Sequence, residues 1–259
     1  MAAGYSAAET PGMETRRMEL HQFKHSAFCE KVRLVLAAKG LEAQQVEVVP
    51  GIGQVELFRL SGQRQVPVLV DGAEVIADST DIALYLEQRH PVPPLLPSDP
   101  SERAQVLLLE DWADTALSTA CRRALLQAAA TNTKIRAALL PDATPSSLRQ
   151  LVGVLPGNLL GPISDTLGSL LAPLEARQLH RNLEQLSHLV ARRDHLVGGQ
   201  LTLADLAVVA QLSLLRFPAT VGAPLAGEGV SGIADNPLFQ PLFGWRDRIL
   251  ASLSCRRAP

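Results

Sequence analysis

The sequence predicts two unlike regions: a thioredoxin-like α/β region over about residues 18–90 and an all-helical region over about 101–253. Three observations support this division. Strand-like and helix-like patterns alternate in the order β-α-β-α-β-β-α before residue 90. The stretch 91–100 is dense in proline, which is typical of a semi-rigid linker. Beyond that linker the apolar residues recur at helical spacing, and we find no convincing strand pattern.

The first half of the α/β region reads as a β-α-β unit followed by a weak helix. Residues 18–23 alternate between apolar and polar side chains, as a half-buried strand does. Apolar residues recur at helical spacing over 27–39, and Gly40 supplies the stop that ends many helices. A second strand is predicted at about 44–49 and a short helix near 54–60.

A hairpin and a helix complete this region. The run 66–70 is strongly β-prone, and Asp71-Gly72 is a strong two-residue turn signal before a return strand at 74–76. Pro67 lies inside the first run and cannot donate to a ladder, so we expect a bend there with a cis peptide bond. A helix follows over 79–89.

The helical region is predicted from long amphipathic patterns. Thr202 and Asp205 form a capping-box pattern before an apolar run, so we expect Asp205 to be structural. The predicted helices span 101–127, 128–140 (as a continuation or a second helix), 175–193, 202–215 and 237–253.

Prolines, glycines and leucines crowd the stretch 141–173, which interrupts the helical pattern. Its charges and helix breakers exclude the roughly 20 uninterrupted apolar residues that a membrane span needs. Two interpretations remain open: a pair of short helices packed on the helical region, or a lid or partner surface.

Composition narrows the class of protein. The chain has 259 residues, 47% of them hydrophobic, with a net charge of −2, which argues against bulk attraction to nucleic acid or anionic membrane. The three cysteines are irregularly spaced and no metal-ligand spacing occurs, so we expect reduced thiols, no metal and a cytoplasmic protein. Residues 1–17 lack a secretory signal and are expected to be disordered; Met13 and Met18 are alternative start sites.

Two short motifs point to a peptide-like ligand. The bend at Val66-Pro67 would expose backbone groups with which an extended peptide could pair. Asp78-Ser79 places a carboxylate, a hydroxyl and free amides at a helix start, which favours anions. Together and in this order, these motifs resemble the glutathione transferase family, whose members often carry Glu-Ser at the second motif. The resemblance covers about 18–253, with 141–173 as an insertion, and it departs at Ala27, where many members have proline.

The resemblance implies the glutathione transferase fold, a serine-type catalytic site and a set of contacts with glutathione. Asp78 would hold the γ-glutamyl amine, Ser79 its carboxylate and the Val66 backbone the cysteinyl amide. Lys39 would meet the glycyl carboxylate, although a solvated cation at a helix end explains it equally well. The full implied set is Lys39, Gln65, Val66, Pro67, Asp78 and Ser79.

Ser26 is the candidate catalytic residue, because it lies where the first strand meets the first helix. One hydrogen bond to a charged group is worth about 1.5–3 kcal/mol. This is most of the free energy needed to lower the pKa of a thiol by two units. A plain helix cap is the alternative role. Cys29 completes a Cys-x-x-Cys-like pattern whose first position is Ser26, so it is either an alternative reactive thiol or a small buried residue.

The implied function is transfer of glutathione to a hydrophobic electrophile by a homodimer. Side chains that could line the electrophile site lie on the long helix; core or dimer packing is their alternative role. They are Trp112, Thr115, Ala116 and Thr119. Two other functions stay open: a non-catalytic ligand- or partner-binding protein, and a single-thiol glutathione-dependent reductase using Cys29.

Overall fold

The computed structural model describes residues 18–49, 52–140 and 166–255. Its α/β region follows the predicted order. The elements are β1 (Met18–Gln22), α1 (Ala27–Lys39), β2 (Ala43–Glu47), α2 (Ile52–Ser61), β3 (Val68–Asp71), β4 (Glu74–Ala77) and α3 (Ser79–Arg89).

The four strands form one mixed sheet in the order β2-β1-β3-β4. β1 is parallel to β2 and antiparallel to β3, and β3 is antiparallel to β4. A parallel pair needs a crossover, and α1 supplies it. This arrangement confirms the predicted thioredoxin-like fold.

The helical region begins directly after the proline-dense linker. Its helices are α4 (Pro100–Trp112), a π-helical turn (Ala113–Leu117), α5 (Ser118–Thr131), α6 (Thr133–Ala138), α7 (Thr166–Val190), α8 (Leu203–Leu215) and α9 (Gln240–Cys255). Short 3₁₀ turns lie at Ala219–Val221 and Pro237–Phe239. The predicted all-helical fold of this region is confirmed within the described ranges.

The described part of the stretch 141–173 is helical backbone. Residues 166–173 form the first turns of α7, which therefore starts earlier than the predicted residue 175. The remainder, 141–165, lies outside the described residues, as does the expected disordered start at 1–17. None of the helices within the described ranges combines the length and hydrophobicity that a membrane crossing requires.

Helix α8 is the centre of the packing, and every one of its residues is buried. It packs against α1 of the α/β region and against α4 and α5 of the helical region. One contiguous apolar cluster therefore runs from Leu20 and Val35 through α8 to Trp245. Because this core is shared, the two regions hold a fixed relative position.

The predicted capping box at the start of α8 is confirmed. Asp205 is fully buried, and its carboxylate accepts hydrogen bonds from the Thr202 amide (2.7 Å), the Thr202 hydroxyl (2.8 Å) and the Leu196 amide (2.7 Å). Asp205 thus joins the preceding loop to the most buried helix, so its role is structural.

Replacing Asp205 by alanine should destabilise the protein far more than losing an ordinary cap. We expect Asp205→Ala to lower the free energy of unfolding by about 2–4 kcal/mol, because a cap is lost and buried donors are left unpaired. Urea unfolding followed by circular dichroism measures the change. The matched control is Asp99→Ala, because Asp99 is an exposed cap that accepts one amide hydrogen bond, from Glu102. Equal losses in the two variants would contradict the structural role of Asp205.

Candidate functional site

Three chain segments meet at one end of the sheet. His21 pairs with Val68, and Val68 pairs with Ala77. Because these strands are antiparallel neighbours, the end of β1, the start of β3 and the end of β4 lie side by side. The segments that continue from them carry Ser26, Val66-Pro67 and Asp78-Ser79. The residues singled out from separate parts of the sequence therefore lie at one edge of the molecule.

The Val66-Pro67 peptide bond is cis, as predicted from the sequence. Pro67 is buried and Val66 is half-buried, while Gln65 is exposed. The Val66 side chain packs with Phe23 against a small apolar cluster. Its backbone N–H and C=O take part in none of the backbone hydrogen bonds found over 18–49, 52–140 and 166–255. These backbone groups can therefore pair with an extended peptide.

Ser26 caps α1 and lies half-buried at the turn that leaves β1. Its hydroxyl oxygen accepts a hydrogen bond from the Cys29 amide at 3.4 Å, and its own amide donates to the Phe23 carbonyl at 3.1 Å. The hydroxyl hydrogen remains able to donate elsewhere. First-turn amides of a helix have no partner within the helix, so this end of α1 favours a negative charge.

Cys29 is fully buried below Ser26. Its sulfur accepts a hydrogen bond from the Phe23 amide at 3.4 Å, which fixes the turn between β1 and α1. Burial raises the pKa of the Cys29 thiol, outweighing the opposite effects of Ser26, the Phe23 amide and Arg33. A buried neutral thiol is a weak nucleophile, so the geometry supports the packing role of Cys29 over the reactive one.

Asp78 and Ser79 open helix α3. The Asp78 carboxylate caps the helix through Oδ1, which accepts from the amides of Thr80 (2.7 Å) and Asp81 (3.4 Å). Its φ of 78° is the one positive value at a non-glycine residue within the described ranges. Such a conformation costs about 1–3 kcal/mol and is found most often at binding sites. Ser79 is buried, and its hydroxyl donates to Asp114 Oδ2 at 3.3 Å.

Behind Ser79 lies a polar cluster that the sequence analysis missed. The ammonium of Lys31, on α1, is buried and donates to Glu110 at 2.5 Å, to Asp114 and to the Thr80 hydroxyl at 3.1 Å. Glu110 lies on α4 and Asp114 on the π-helical turn. We call Lys31, Thr80, Glu110 and Asp114 the interdomain charge cluster, because it joins the α/β region to the helical region.

The charge cluster holds one unsatisfied atom. Asp114 Oδ1 is buried and has no hydrogen-bond partner among the residues that the structure describes. Burial raises the pKa of the Asp114 carboxyl, although Lys31 opposes this shift through its charge and its hydrogen bond. A buried acceptor without a partner is costly, so a cation or donor bound beside Ser79 would be stabilised there.

The sequence does contain a signal for this cluster. Lys31 and Glu110 carry charges at positions where the helical period places buried side chains, between Phe28 and Val35 on α1 and between Val106 and Ala113 on α4. Charged residues are almost never fully buried unless they are paired. Two charges on two apolar stripes therefore predict a buried pair, although not its place.

Lys39 requires a correction. It lies at the C-terminal end of α1, about 20 Å from Ser26 by the rise of 13 helical residues. Its buried ammonium donates to Glu87, to the His90 carbonyl (2.7 Å) and to the Pro93 carbonyl (2.7 Å). Lys39 binds the linker and has no access to the proposed glycyl carboxylate, and it is not the solvated cation of the alternative interpretation.

The side chains proposed for the electrophile lie on the α4–α5 segment and differ in burial. Trp112 is half-buried, whereas Thr115, Ala116 and Thr119 are exposed. The two threonine hydroxyls donate back to carbonyls of their own helix, those of Asp111 and Thr115. The hollow that adjoins Ser26 is instead lined by α8 and the residues after it, Ala210, Ser213, Leu214, Phe217, Pro218 and Val221.

No cluster of three or more metal-ligating side chains occurs within the part of the chain that the structure describes. The groups that meet at this end of the sheet are hydroxyl groups, helix amides and carboxylates.

Comparison with known proteins agrees with this geometry. Residues 20–94 match the family model described as glutathione S-transferase, N-terminal domain. The α/β region of this chain is therefore of the glutathione S-transferase N-terminal type. It is 43% identical over 94 residues to glutathione S-transferase 1 of Dianthus caryophyllus, a match that covers 35% of this chain and 42% of that protein. It is 36% identical over 91 residues to glutathione S-transferase Z1 of Arabidopsis thaliana, covering 34% of this chain and 41% of that one.

A solved structure extends the likeness over nearly the whole chain. The crystal structure of the β-etherase LigF from Sphingobium sp. strain SYK-6 superposes with a TM-score of 0.67 at 25% identity, covering 92% of this chain and 98% of that one. The chain matches less than half the length of the curated glutathione S-transferases. The sequence matches thus concern mainly the α/β region, while the structural match includes the helices.

Thiol reactivity tests the assignment of Cys29 as a packed residue. In the native protein we expect iodoacetamide to label exposed Cys255 at least tenfold faster than the buried Cys29 and Cys121, since burial blocks access and raises the pKa of both buried thiols. Peptide mapping by mass spectrometry measures the rates. All three thiols should react alike in denaturant. Labelling of native Cys29 as fast as Cys255 would revive the reactive role.

The charge cluster predicts a pH-dependent loss of stability in Lys31→Met. Removing the cation leaves Glu110 and Asp114 together, which should cost about 3–5 kcal/mol at neutral pH. Without Lys31 to oppose the effect of burial, the pKa of Asp114 rises further above its unfolded value of about 4. The variant's deficit therefore grows as the pH rises above about 4 and shrinks as the pH falls. Urea unfolding at several pH values measures this trend.

The control for this prediction is Arg123→Met, which removes the exposed Arg123–Glu175 pair. Exposed ion pairs contribute about 0–1 kcal/mol, so this variant should change little at any pH. A deficit in Lys31→Met that does not vary with pH would show that lost packing, and not charge, is responsible.

Proposed function

We propose that the protein is a glutathione transferase in which Ser26 stabilises the glutathione thiolate for attack on a hydrophobic electrophile. The observation that carries the proposal is the meeting of Ser26, Val66-Pro67 and Asp78-Ser79 at one end of the sheet. Each of these elements can bind a different part of an extended tripeptide.

The charged ends of glutathione fit the groups around α3. The γ-glutamyl ammonium would meet Asp78 Oδ2, which is not used in capping, with the buried Asp114 carboxyl behind it. The carboxylate next to that ammonium would bind at the N-terminus of α3, where the helix dipole is positive. Since the Ser79 hydroxyl donates to Asp114, it would have to turn towards the ligand to bind that carboxylate.

The cysteinyl part would pair with the Val66 backbone, which directs its sulfur towards the start of α1. There the Ser26 hydroxyl donates a hydrogen bond to the thiolate, and the α1 dipole adds to its stabilisation. Ser26 keeps its own proton throughout; the thiol proton is released to water. The thiolate then attacks carbon: a C–S bond forms, and the leaving group departs with its electron pair.

The reductase alternative loses support from the same geometry. Its nucleophile would be Cys29, which is buried, has a raised pKa and already accepts the Phe23 amide. The non-catalytic alternative was motivated by the stretch 141–173, most of which lies outside the described residues, and no described contact favours it.

Ser26→Ala should raise the pKa of bound glutathione by about one to two units. Its affinity should stay nearly unchanged only at a pH low enough to keep the bound thiol protonated in both proteins. The reason for the shift is that a hydrogen bond to a charged group is worth about 1.5–3 kcal/mol. Ultraviolet absorbance of the thiolate, titrated with pH, measures the shift. Conjugation with a small alkyl iodide should slow by about 10- to 100-fold near pH 6.5 and recover at high pH, where the thiol ionises unaided.

The control is Ser252→Ala on α9, whose hydroxyl bonds to the Ile249 carbonyl of its own helix. If the pKa of bound glutathione is the same in Ser26→Ala as in the wild type, a group other than Ser26 stabilises the thiolate. Absence of glutathione binding to the wild-type protein at millimolar concentration would end the proposal.

A further inference from the structure

A second hollow lies within the helical region and shares no residue with the site described above. It has a volume of about 160 Å³ and lies between α5, α7 and the loop over 230–233. We call it the α5–α7 hollow.

The floor of the α5–α7 hollow is apolar and buried. Ala124 belongs to α5, Leu179 to α7, and Val230 and Ile233 to the loop, and each of them is at most 9% exposed. An apolar cavity of about 150 Å³ is large enough to hold benzene, so this hollow has room for a branched aliphatic side chain or one ring. A ligand that covers this floor with apolar atoms removes it from water, which is favourable.

The rim of the hollow carries one cation and one anion. Arg123 on α5 donates through Nη1 to Glu175 Oε2 on α7, and the two side chains are 49% and 38% exposed. Exposed ion pairs contribute only about 0–1 kcal/mol, so a ligand that offers each charge a new partner can separate them at little cost. The Arg123 guanidinium also has donors on Nε and Nη2, which a second carboxylate can use.

Two further polar side chains, those of Gln127 and Ser231, line the same hollow. Neither of them forms a hydrogen bond to another residue in the ranges that the structure describes. An amide and a hydroxyl group can both donate, so they can assist Arg123 in binding a carboxylate.

The loop that closes the hollow is fixed by the core of the helical region. The Val230 amide donates to the Leu215 carbonyl at the end of α8 at 2.8 Å, and the Ala234 amide donates to the Val230 carbonyl at 2.8 Å. A Cβ atom on Gly229 would lie 2.4 Å from the Leu215 carbonyl oxygen, so only glycine allows this close approach. The hollow is therefore preformed and does not need a ligand to shape it.

We propose that the α5–α7 hollow binds a free α-amino acid with an apolar side chain. The ligand's carboxylate pairs with Arg123, its ammonium pairs with Glu175, and its side chain covers the buried floor. A simple carboxylic acid would give Arg123 a partner and take one from Glu175, and a simple amine would do the reverse. The inference goes beyond the proposed function, because it involves neither glutathione nor Ser26.

Titration of the whole protein with L-leucine, followed by saturation-transfer NMR, tests this proposal. We expect a dissociation constant of about 0.1–10 mM, which is within reach of a ligand of this size. Isocaproate and isopentylamine keep the leucine side chain but lack the ammonium and the carboxylate, respectively. Each should bind at least about tenfold more weakly, because one charge-assisted contact is lost.

Substitutions at the rim locate the binding. Arg123→Met and Glu175→Gln should each weaken leucine binding at least about tenfold, because each removes one of the two charges. Ser231→Trp should abolish binding by filling the hollow. The matched control is Arg181→Met, which removes an exposed arginine of α7 that lies outside the hollow and should leave the affinity unchanged.

Three results would overturn the proposal: no leucine binding to the wild-type protein at about 20 mM, ten times a typical millimolar dissociation constant; isocaproate binding as tightly as leucine; or unchanged affinity in both Arg123→Met and Glu175→Gln. Unfolding midpoints equal to that of the wild type establish that the variants are folded. Each of these results leaves the proposed function standing, since glutathione binds elsewhere.

Discussion

The buried ammonium of Lys31 is the interaction on which the arrangement of the site depends. It contacts two carboxylates from the helical region and a hydroxyl from α3. The same α1 that carries Lys31 begins at Ser26, and the same α3 begins at Asp78-Ser79. One ion cluster therefore sets the distance between the helix start proposed to hold the sulfur and the helix start proposed to hold the γ-glutamyl group.

Charge around this site is divided in a way that suits a zwitterionic peptide. The starts of α1 and α3 present amides and favour anions. Asp78 and Asp114 present carboxylate oxygens that favour a cation. Asp114 is incompletely satisfied within the structure, and the strained backbone at Asp78 lies at the same turn. Both are features that a ligand, and not the fold alone, would compensate for.

Local signals allowed much of this structure to be predicted from the sequence. The Asp71-Gly72 turn, the helix over 79–89, the bend at Pro67 and the box at Asp205 depend on neighbouring residues, and the sequence shows those directly. The helical period also identified the buried face of α1. What it could not supply was the partner of a buried charge, because Glu110 and Asp114 come about 80 residues after Lys31.

One further miss has a tertiary cause. The resemblance assigned Lys39 to the glycyl carboxylate, but its ammonium binds Glu87 and the carbonyls of His90 and Pro93, which lie about 50 residues away.

Lys39 and its partner Glu87 both form hydrogen bonds to the segment that connects the two regions. Glu87, which pairs with Lys39, also accepts the amides of Leu95 and Leu96 at 3.1 and 3.2 Å. The linker between the two regions is therefore held by hydrogen bonds to the ends of α1 and α3, so it is not a free hinge. A chimera that replaces the helical region with that of a relative must therefore keep Lys39, Glu87 and the linker together. A junction between them would leave the buried Lys39 ammonium without its partners.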